Sequence, residues 1–365
     1  MKQLRVAVVG VGPVGEGILR VLQERDFPVD GDPLVMATSH RFEKLLGREV
    51  EVFEASPELF EDLDLVFFAG REGAKGASRV WASVAREAGA YSIDNGSDFR
   101  LDPEVPLVVP EINADAMTPD DWLIASPNCS TIQLVMAVAP LHRVARIKRM
   151  VISTYQSVSG WGGKAMKELE SQAKQYAAGE EVTFDPTVFT RAIVLDCLPH
   201  IDRFQPNGYT KEEMKMVHET RKILDAPEIL ITATAVRVPV PIGHALSVNV
   251  ELKSPLSADD ARQVLAETPG VVVIDGPTQD AAARTERKAP EELQYPTQAD
   301  ILRDEYRDMT LVGRVREDET VENGLNLWVV ADNLRKGAAT NVVQIAEAMI
   351  ERGFFEGESR KRRHN

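Results

Sequence analysis

Gly10-Val11-Gly12-Pro13-Val14-Gly15 follows a short apolar run, Leu4 to Val9, and opens a segment, Val14 to Glu24, with the apolar spacing of a helix. A strand that ends in G-x-G-x-x-G turns tightly, and its glycines let backbone N–H groups approach a phosphate at the helix N-terminus. A glycine turn that binds nothing has the same sequence, so the motif takes its meaning from the segments on either side of it. Further strands are expected at Leu34 to Ala37, Leu63 to Ala69, Ala90 to Asp94 and Leu107 to Val109, with a helix across Ser78 to Ala88. Short buried strands alternating with helices imply an α/β fold with a parallel, doubly wound sheet.

The pattern changes after about residue 147. Arg149 to Gln156 and Thr232 to Pro239 are β-branched runs, and Leu246 to Lys253 alternates apolar and polar residues. Such strands suit an α+β domain whose sheet has one open face. Helices are expected at Lys164 to Ala178, Lys211 to Leu224 and Ala258 to Thr268, and Thr340 to Arg352 reads as a helix returning to the first domain. The expected division is therefore a first domain over 1–130 with the helix 338–356, a second over 131–337, and a disordered basic tail at 357–365. A chain of 365 residues is long enough for two such cores.

With 42 Lys and Arg against 57 Asp and Glu, the net charge is −15. That acidity disfavours nucleic acid as a partner and requires any anionic ligand to be held by a few local cations. No apolar run approaches the roughly 18 to 20 residues needed to span a bilayer. The apolar run near the N-terminus is too short for a signal peptide and breaks into glycines. A cytoplasmic protein without membrane contact is expected.

The end of the second strand bears on the cofactor. An NAD site places Asp or Glu there for the ribose 2′-hydroxyl. Here Met36-Ala37-Thr38-Ser39-His40-Arg41 has no acid. Ser39 and Arg41 suit a 2′-phosphate, which favours NADP, with a solvated Arg41 as the open alternative. In Pro127-Asn128-Cys129-Ser130-Thr131, Cys129 precedes a helix-like stretch, where the positive end of the helix dipole favours a thiolate nucleophile. A cysteine among apolar residues also fits a buried core thiol, and from these residues alone both readings stand.

Asn128-Cys129-Ser130-Thr131, Tyr155-Gln156-Ser157-Val158-Ser159-Gly160, and Arg237-Val238-Pro239-Val240 with Gly243-His244 together resemble the aspartate-β-semialdehyde dehydrogenase family. The resemblance extends to Gly96-Ser97-Asp98-Phe99-Arg100, Tyr209-Thr210-Lys211-Glu212-Glu213-Met214-Lys215 and the stretch Leu327 to Gly337, so it spans nearly the whole chain in order. It implies a homodimer or homotetramer of subunits, each with a Rossmann-type NADP-binding domain and an α+β catalytic and dimerisation domain. The implied reaction is reductive dephosphorylation of β-aspartyl phosphate to aspartate semialdehyde, on the route to lysine, methionine and threonine.

Residue by residue, the resemblance makes Cys129 the acyl-accepting thiol, His244 the acid/base and Gln156 the group that orients substrate. Arg237 would grip the α-carboxylate and Glu212 the amino group, with Asn128 also binding substrate. Arg100 and Lys215 would hold phosphate. The cofactor would meet Gly10, Gly12, Pro13, Val14 and Gly15 at its pyrophosphate, Ser39 and Arg41 at its 2′-phosphate, and Ser159, Gly160 and Asn333 at its nicotinamide. The chemistry wants these types. Thiolate attack expels phosphate and splits one hard step into two, a histidine near neutral pKa can move a proton, and an arginine fork matches a carboxylate.

Three departures bear on the cofactor: Gly12-Pro13 in the turn, Gly70-Arg71-Glu72-Gly73 after the third strand, and Trp161 where a smaller residue is common. Rivals are a related acyl-CoA or acyl-phosphate reductase, including an N-acetylglutamyl phosphate reductase, whose cysteine neighbourhood differs, and a catalytically silent binding protein. Retention of Cys129, Gln156, Arg237 and His244 together argues against the silent form. His40, His142, His200 and His218 lack partners at metal-ligand spacing, so no metal is expected. Cys197 reads as a packed core thiol, and Glu291-Glu292 and Glu317-Asp318-Glu319 as solvated loops.

Overall fold

A computed structural model describes residues 3–70, 73, 75–276 and 294–356. Among these the chain divides into two compact units, Met1–Asn128 with Gly337–Asn365, and Cys129–Lys336. The basic tail at 357–365, Arg71-Glu72 and Glu291-Glu292 lie outside the described residues.

In the first unit the elements run β1 (Val6–Val9), α1 (Pro13–Glu24), β2 (Leu34–Ala37), β3 (Arg41–Leu45), β4 (Arg48–Glu54), β5 (Leu65–Phe68), α2 (Ala77–Glu87), β6 (Tyr91–Asp94), α3 (Pro110–Asn113) and β7 (Leu123–Ala125). Among the described residues they form a seven-stranded sheet in the order β3-β4-β2-β1-β5-β6-β7. Alternation in β1 sends Val6 and Val8 into a core with Ile18 and Leu22 of α1 and Val342, Ile345 and Met349 of the last helix, Thr340–Glu351. Ala7 and Val9 face the other way, toward Phe60 and Ala85. Both faces are thus covered, as a doubly wound sheet requires.

The sheet is parallel except at one edge, where β3 and β4 pair antiparallel. Leu46 and Gly47 both have positive φ, 52° and 78°, the backbone of a two-residue hairpin turn. The alternation Arg48-Glu49-Val50-Glu51-Val52 is the signal for this hairpin, and the βαβ reading passes over it. Nor is Leu107 to Val109 a strand. Leu107 makes a single parallel bridge to Ala125, and Pro110, which suits a first helical turn, starts α3.

The turn after β1 is tight. Gly10 has φ +121°, and a Cβ there would sit 2.7 Å from the Ala69 and Gly70 backbone. Gly12 faces open space, and α1 begins without a side-chain cap, with Pro13 in its first turn. Its first N–H groups are therefore left to an outside acceptor.

The second unit runs α4 (Cys129–Ala145), β8 (Ile147–Gln156), α5 (Gly163–Ala177), α6 (Lys211–Ile223), β9 (Leu230–Arg237), β10 (His244–Leu252), α7 (Ala258–Ala266), β11 (Val271–Val273), β12 (Thr310–Asp318) and β13 (Gly324–Ala331). Its six strands among the described residues are ordered β11-β12-β13-β10-β8-β9. The helix α4 is apolar nearly all round and packs on β8, β10, β12 and β13. On the opposite face Tyr155 is exposed and Ser153 and Ser247 are partly covered, while Ala245, Leu311 and Val330 are buried with Ile274 and Ile301. Glu317 and Asp318 are not loop residues: they end β12, where Asp318 accepts from Asn249 Nδ2 at 2.6 Å.

A Cβ on Gly15 would run into the Gly10 carbonyl within the turn. Gly15→Ala should destabilise the protein by about 1–3 kcal/mol, the usual cost of overpacking, and weaken NADP binding. Urea unfolding and fluorescence titration check the two effects.

Candidate active site

Strand register assembles the site. Gln156, the last residue of β8, lies beside Arg237 at the end of β9 and beside His244 at the start of β10. The three form a row across adjacent strands, about 4.8 Å apart in such sheets. All three are buried, His244 completely. Arg237 Nη1 donates to the Ser157 carbonyl at 2.7 Å. Thr154 Oγ1 and Glu212 fix the Gln156 amide, since Thr154 donates to Oε1 and Nε2 donates to Glu212 Oε1, both at 3.1 Å.

The helix α6 delivers Glu212 and Lys215. Its start is fixed by a capping box in which Glu213 N donates to Thr210 Oγ1 and Thr210 N to Glu213 Oε2. Glu212, in the first turn, accepts from Lys215 Nζ at 3.1 Å. Asp202 Oδ2 lies 3.4 Å from the same Nζ. Cys129 is the first residue of α4, where the helix dipole favours an anion. Its charge and that of Glu212 support the Arg237 cation against the burial that disfavours it.

Burial and the neighbouring Arg237 push the His244 ring down to about 3, with Glu212 and the Gly243 carbonyl pulling the other way. Its Nδ1 accepts the Ser157 N–H at 3.1 Å, and its Nε2 has no hydrogen-bond partner among the described residues. Gly160 closes over this corner. A Cβ there would lie 2.9 Å from Arg237 Nη1 and 3.3 Å from His244 Nε2, so only glycine leaves both groups their place. Asn333 Oδ1 accepts from Gly243 N at 2.9 Å, and its Nδ2 donates to Ser159 Oγ at 2.9 Å. A cavity of about 260 Å³ beside Arg237 is lined by Trp161, Phe189, His200, Asp202 and Arg203 among others.

The second unit therefore brings together Cys129, Gln156, Ser159, Gly160, Glu212, Lys215, Arg237, His244 and Asn333. The remaining expected residues lie in the first unit. Arg100 is buried and donates to the Ser126 and Asn95 carbonyls at 2.8 Å each. Asn128 is buried, while Gly10, Gly12, Pro13, Val14 and Gly15 form the turn before and into α1. Arg41 opens β3, donating to Ser39 Oγ at 3.2 Å and pairing with Glu43. That pair is partly exposed and contributes little to stability.

Sequence reading missed Thr154, Ser157 and Asp202, each of which has a partner distant in the chain: Val236 N donates to Thr154 Oγ1, Ser157 Oγ lies 3.0 Å from Asn333 Oδ1, and Asp202 meets Lys215. Cys197 is exposed rather than packed. The chain turns there, its N–H donates to Asp196 Oδ1, and Leu198 takes the buried position instead. Among the described residues no group of three or more His, Cys, Asp or Glu could hold a metal, and no helix is long and apolar enough to cross a membrane.

A nucleotide-type turn in one unit and a cysteine, histidine and arginine constellation in the other define the class, a two-unit dehydrogenase. Residues 5–119 match the family model for the NAD binding domain of semialdehyde dehydrogenases, and residues 138–336 match its dimerisation domain. The aspartate-semialdehyde dehydrogenase of Aquifex aeolicus is 44% identical over 359 residues, 96% of this chain and 99% of that protein. Aspartate-semialdehyde dehydrogenase 2 of Vibrio cholerae is 42% identical over 363 residues, 97% and 99% of the two chains. A crystal structure of aspartate semialdehyde dehydrogenase II from Vibrio cholerae, complexed with ASA, superposes with a TM-score of 0.84 at 41% identity, covering 96% of this chain and 99% of that one. The chain belongs to the aspartate-semialdehyde dehydrogenase family.

The depressed His244 pKa has a consequence for stability. Its folded value lies below the unfolded one of about 6.5. The stability it contributes is therefore complete above about pH 6.5 and is lost as pH falls toward about 3. Asp94, raised to about 6 chiefly by burial, has the opposite sign: its contribution is present at low pH and lost as pH rises through about 6. Comparing wild type with His244→Gln cancels Asp94. Between about pH 7 and about pH 4.5 the urea midpoint of the wild type should fall further than that of the variant.

Proposed function

We propose that the protein catalyses the reversible, NADPH-dependent reductive dephosphorylation of L-aspartyl 4-phosphate to L-aspartate 4-semialdehyde, within lysine, methionine and threonine biosynthesis. The buried row Arg237, Gln156 and His244, with Cys129 at the start of α4, is the observation that carries this reading. Arg237 binds the substrate α-carboxylate and Glu212 its amino group. Lys215, already beside Glu212, meets the phosphate. Resemblance gives Arg100 a second phosphate contact and makes Asn128 a substrate-binding residue.

Cys129 Sγ attacks the carbonyl carbon, and the C–O bond to phosphate breaks with its electron pair leaving on phosphate. The product is a thioester. Gln156 orients that carbonyl while His244 is the acid/base. NADPH, when bound, supplies a hydride to the acyl carbon, and the C–S bond breaks with its pair returning to Cys129 Sγ as the aldehyde forms. The uncapped turn at Gly10, Gly12, Pro13, Val14 and Gly15 fits its pyrophosphate. Ser39 and Arg41 suit its 2′-phosphate, and Ser159, Gly160 and Asn333 border its nicotinamide.

The first unit thus serves as the NADP-binding domain and the second as the catalytic and dimerisation domain. A homodimer or homotetramer is part of the proposal, supported by the match to a dimerisation domain. So is a cytoplasmic location, where Cys129 and Cys197, neither in a disulfide, stay reduced. Given L-aspartate semialdehyde, phosphate and NADP, the protein should form NADPH, measured by absorbance, and Cys129→Ala should form none. Absence of turnover with a reduced Cys129 would overturn the reading.

A further inference from the structure

Glu212 faces two demands. It lies three residues from Lys215 on α6, so the two side chains meet, and Lys215 Nζ donates to Glu212 Oε2 at 3.1 Å. The other carboxylate oxygen, Oε1, accepts from Gln156 Nε2 at 3.1 Å. The substrate's α-ammonium must therefore meet a carboxylate that already holds an ammonium. Both side chains are little exposed, 14% for Lys215 and 7% for Glu212, so solvent and salt screen their charges weakly. Two cations on one carboxylate compete unless one of them has another anion to turn to.

Asp202 supplies that anion. Its Oδ2 lies 3.4 Å from the same Nζ, and its Oδ1 accepts the Arg203 N–H at 2.8 Å. The residue has a left-handed backbone, φ 64°, which Asp tolerates better than most side chains. The Arg203 carbonyl accepts from the N–H of Lys211, the first residue of α6, at 2.8 Å. Leu198, just upstream, exchanges two backbone hydrogen bonds with Arg237, both at 2.8 Å. Asp202 is thus tied on one side to the helix that carries Lys215 and on the other to the strand end that carries Arg237. It also lines the cavity beside Arg237.

We propose that Asp202 is a positioning residue that takes Lys215 over from Glu212 as substrate enters, leaving Glu212 for the α-ammonium and Lys215 for the phosphate. This deepens the function proposed above and rests on it. A lysine suits the exchange. Its four-carbon stem lets Nζ shift while α6 stays in place, and its three N–H donors let it keep Asp202 while it meets phosphate. Asp202 then balances Lys215, Glu212 balances the ammonium, and Arg237 is left for the α-carboxylate. Asp202 touches none of the reacting atoms and acts only through Lys215. A direct contact with the ammonium, by contrast, would act whether or not Lys215 were there.

The test reads occupancy at Cys129 without phosphate or NADP. In a Cys197→Ser background, L-aspartate semialdehyde should protect Cys129 from alkylation, followed by peptide mass analysis. Asp202→Asn should raise the half-protecting concentration about fivefold to twentyfold. Asp202→Glu, which restores the charge, should bring it back to within about threefold of the parent. In Lys215→Ala, where Glu212 has no lysine to give up, Asp202→Asn should change it by less than about twofold. With phosphate and NADP present, Asp202→Asn should raise KM for the semialdehyde and leave kcat within about twofold. A half-protecting concentration unchanged or lowered in Asp202→Asn would overturn the proposal, as would no recovery in Asp202→Glu. So would an equal rise with and without Lys215, the result that a direct contact or a general disturbance of the fold gives. Semialdehyde that neither protects Cys129 nor turns over in the wild type would overturn the function, and this proposal with it. Protection and turnover in the wild type with equal effects in the two backgrounds would overturn this proposal alone.

Discussion

The register among β9, β8 and β10 is the constraint on which the site depends. Arg237, Gln156 and His244 share a level because β8 pairs parallel with β9 and antiparallel with β10. Side chains alternate faces along a strand, so a slip of one residue would turn the middle member away from its neighbours. Burial fixes the register, since the α4 face of these strands is apolar and the opposite face is not. The same packing places the first residue of α4, Cys129, where the Arg237 cation feels its charge. Core formation and site assembly are one event in this unit.

Low solvent access then sets the electrostatics. A buried arginine needs compensating anions, which Glu212 and Cys129 supply. The histidine beside it resolves the conflict differently, by staying neutral. Lys215 and Asp202 complete the balance around Glu212 without entering the row. The result is one fixed cation for a carboxylate, one thiol at a helix start, and one buried ring whose Nε2 has no hydrogen-bond partner among the described residues. Those charges suit a substrate with a carboxylate at one end and an acyl phosphate at the other.

Much of this was legible in the sequence, for reasons particular residues make plain. The strand before Gly10 is a continuous apolar run, the helix after it has a 3.6 period, and the Thr210–Glu213 capping box is local, so these elements stand out. His244 was legible only through its neighbours as a resemblance, whereas Cys129 also carried a local signal, its place at the start of a helix-like stretch, that left a core thiol open. The hairpin β3–β4 was hidden because a βαβ rhythm was already in hand, though its alternation was available. Cys197 was misplaced because composition alone suggests burial, whereas the turn at Asp196 sends Leu198 inward. The polar support of the site, Thr154, Ser157 and Asp202, depends on pairings between residues 13 to 176 positions apart, which no short window of sequence contains.

The central claim is that Cys129 carries the acyl group, and trapping that group tests it most directly. Protein mixed with L-aspartate semialdehyde and NADP, but no phosphate, has no acceptor for the thioester and is quenched in acid for peptide mass analysis. The account predicts one aspartyl group on the peptide containing Cys129 and none on the exposed Cys197. NADPH formed without an adduct on Cys129, or an adduct on Cys197 alone, would contradict it.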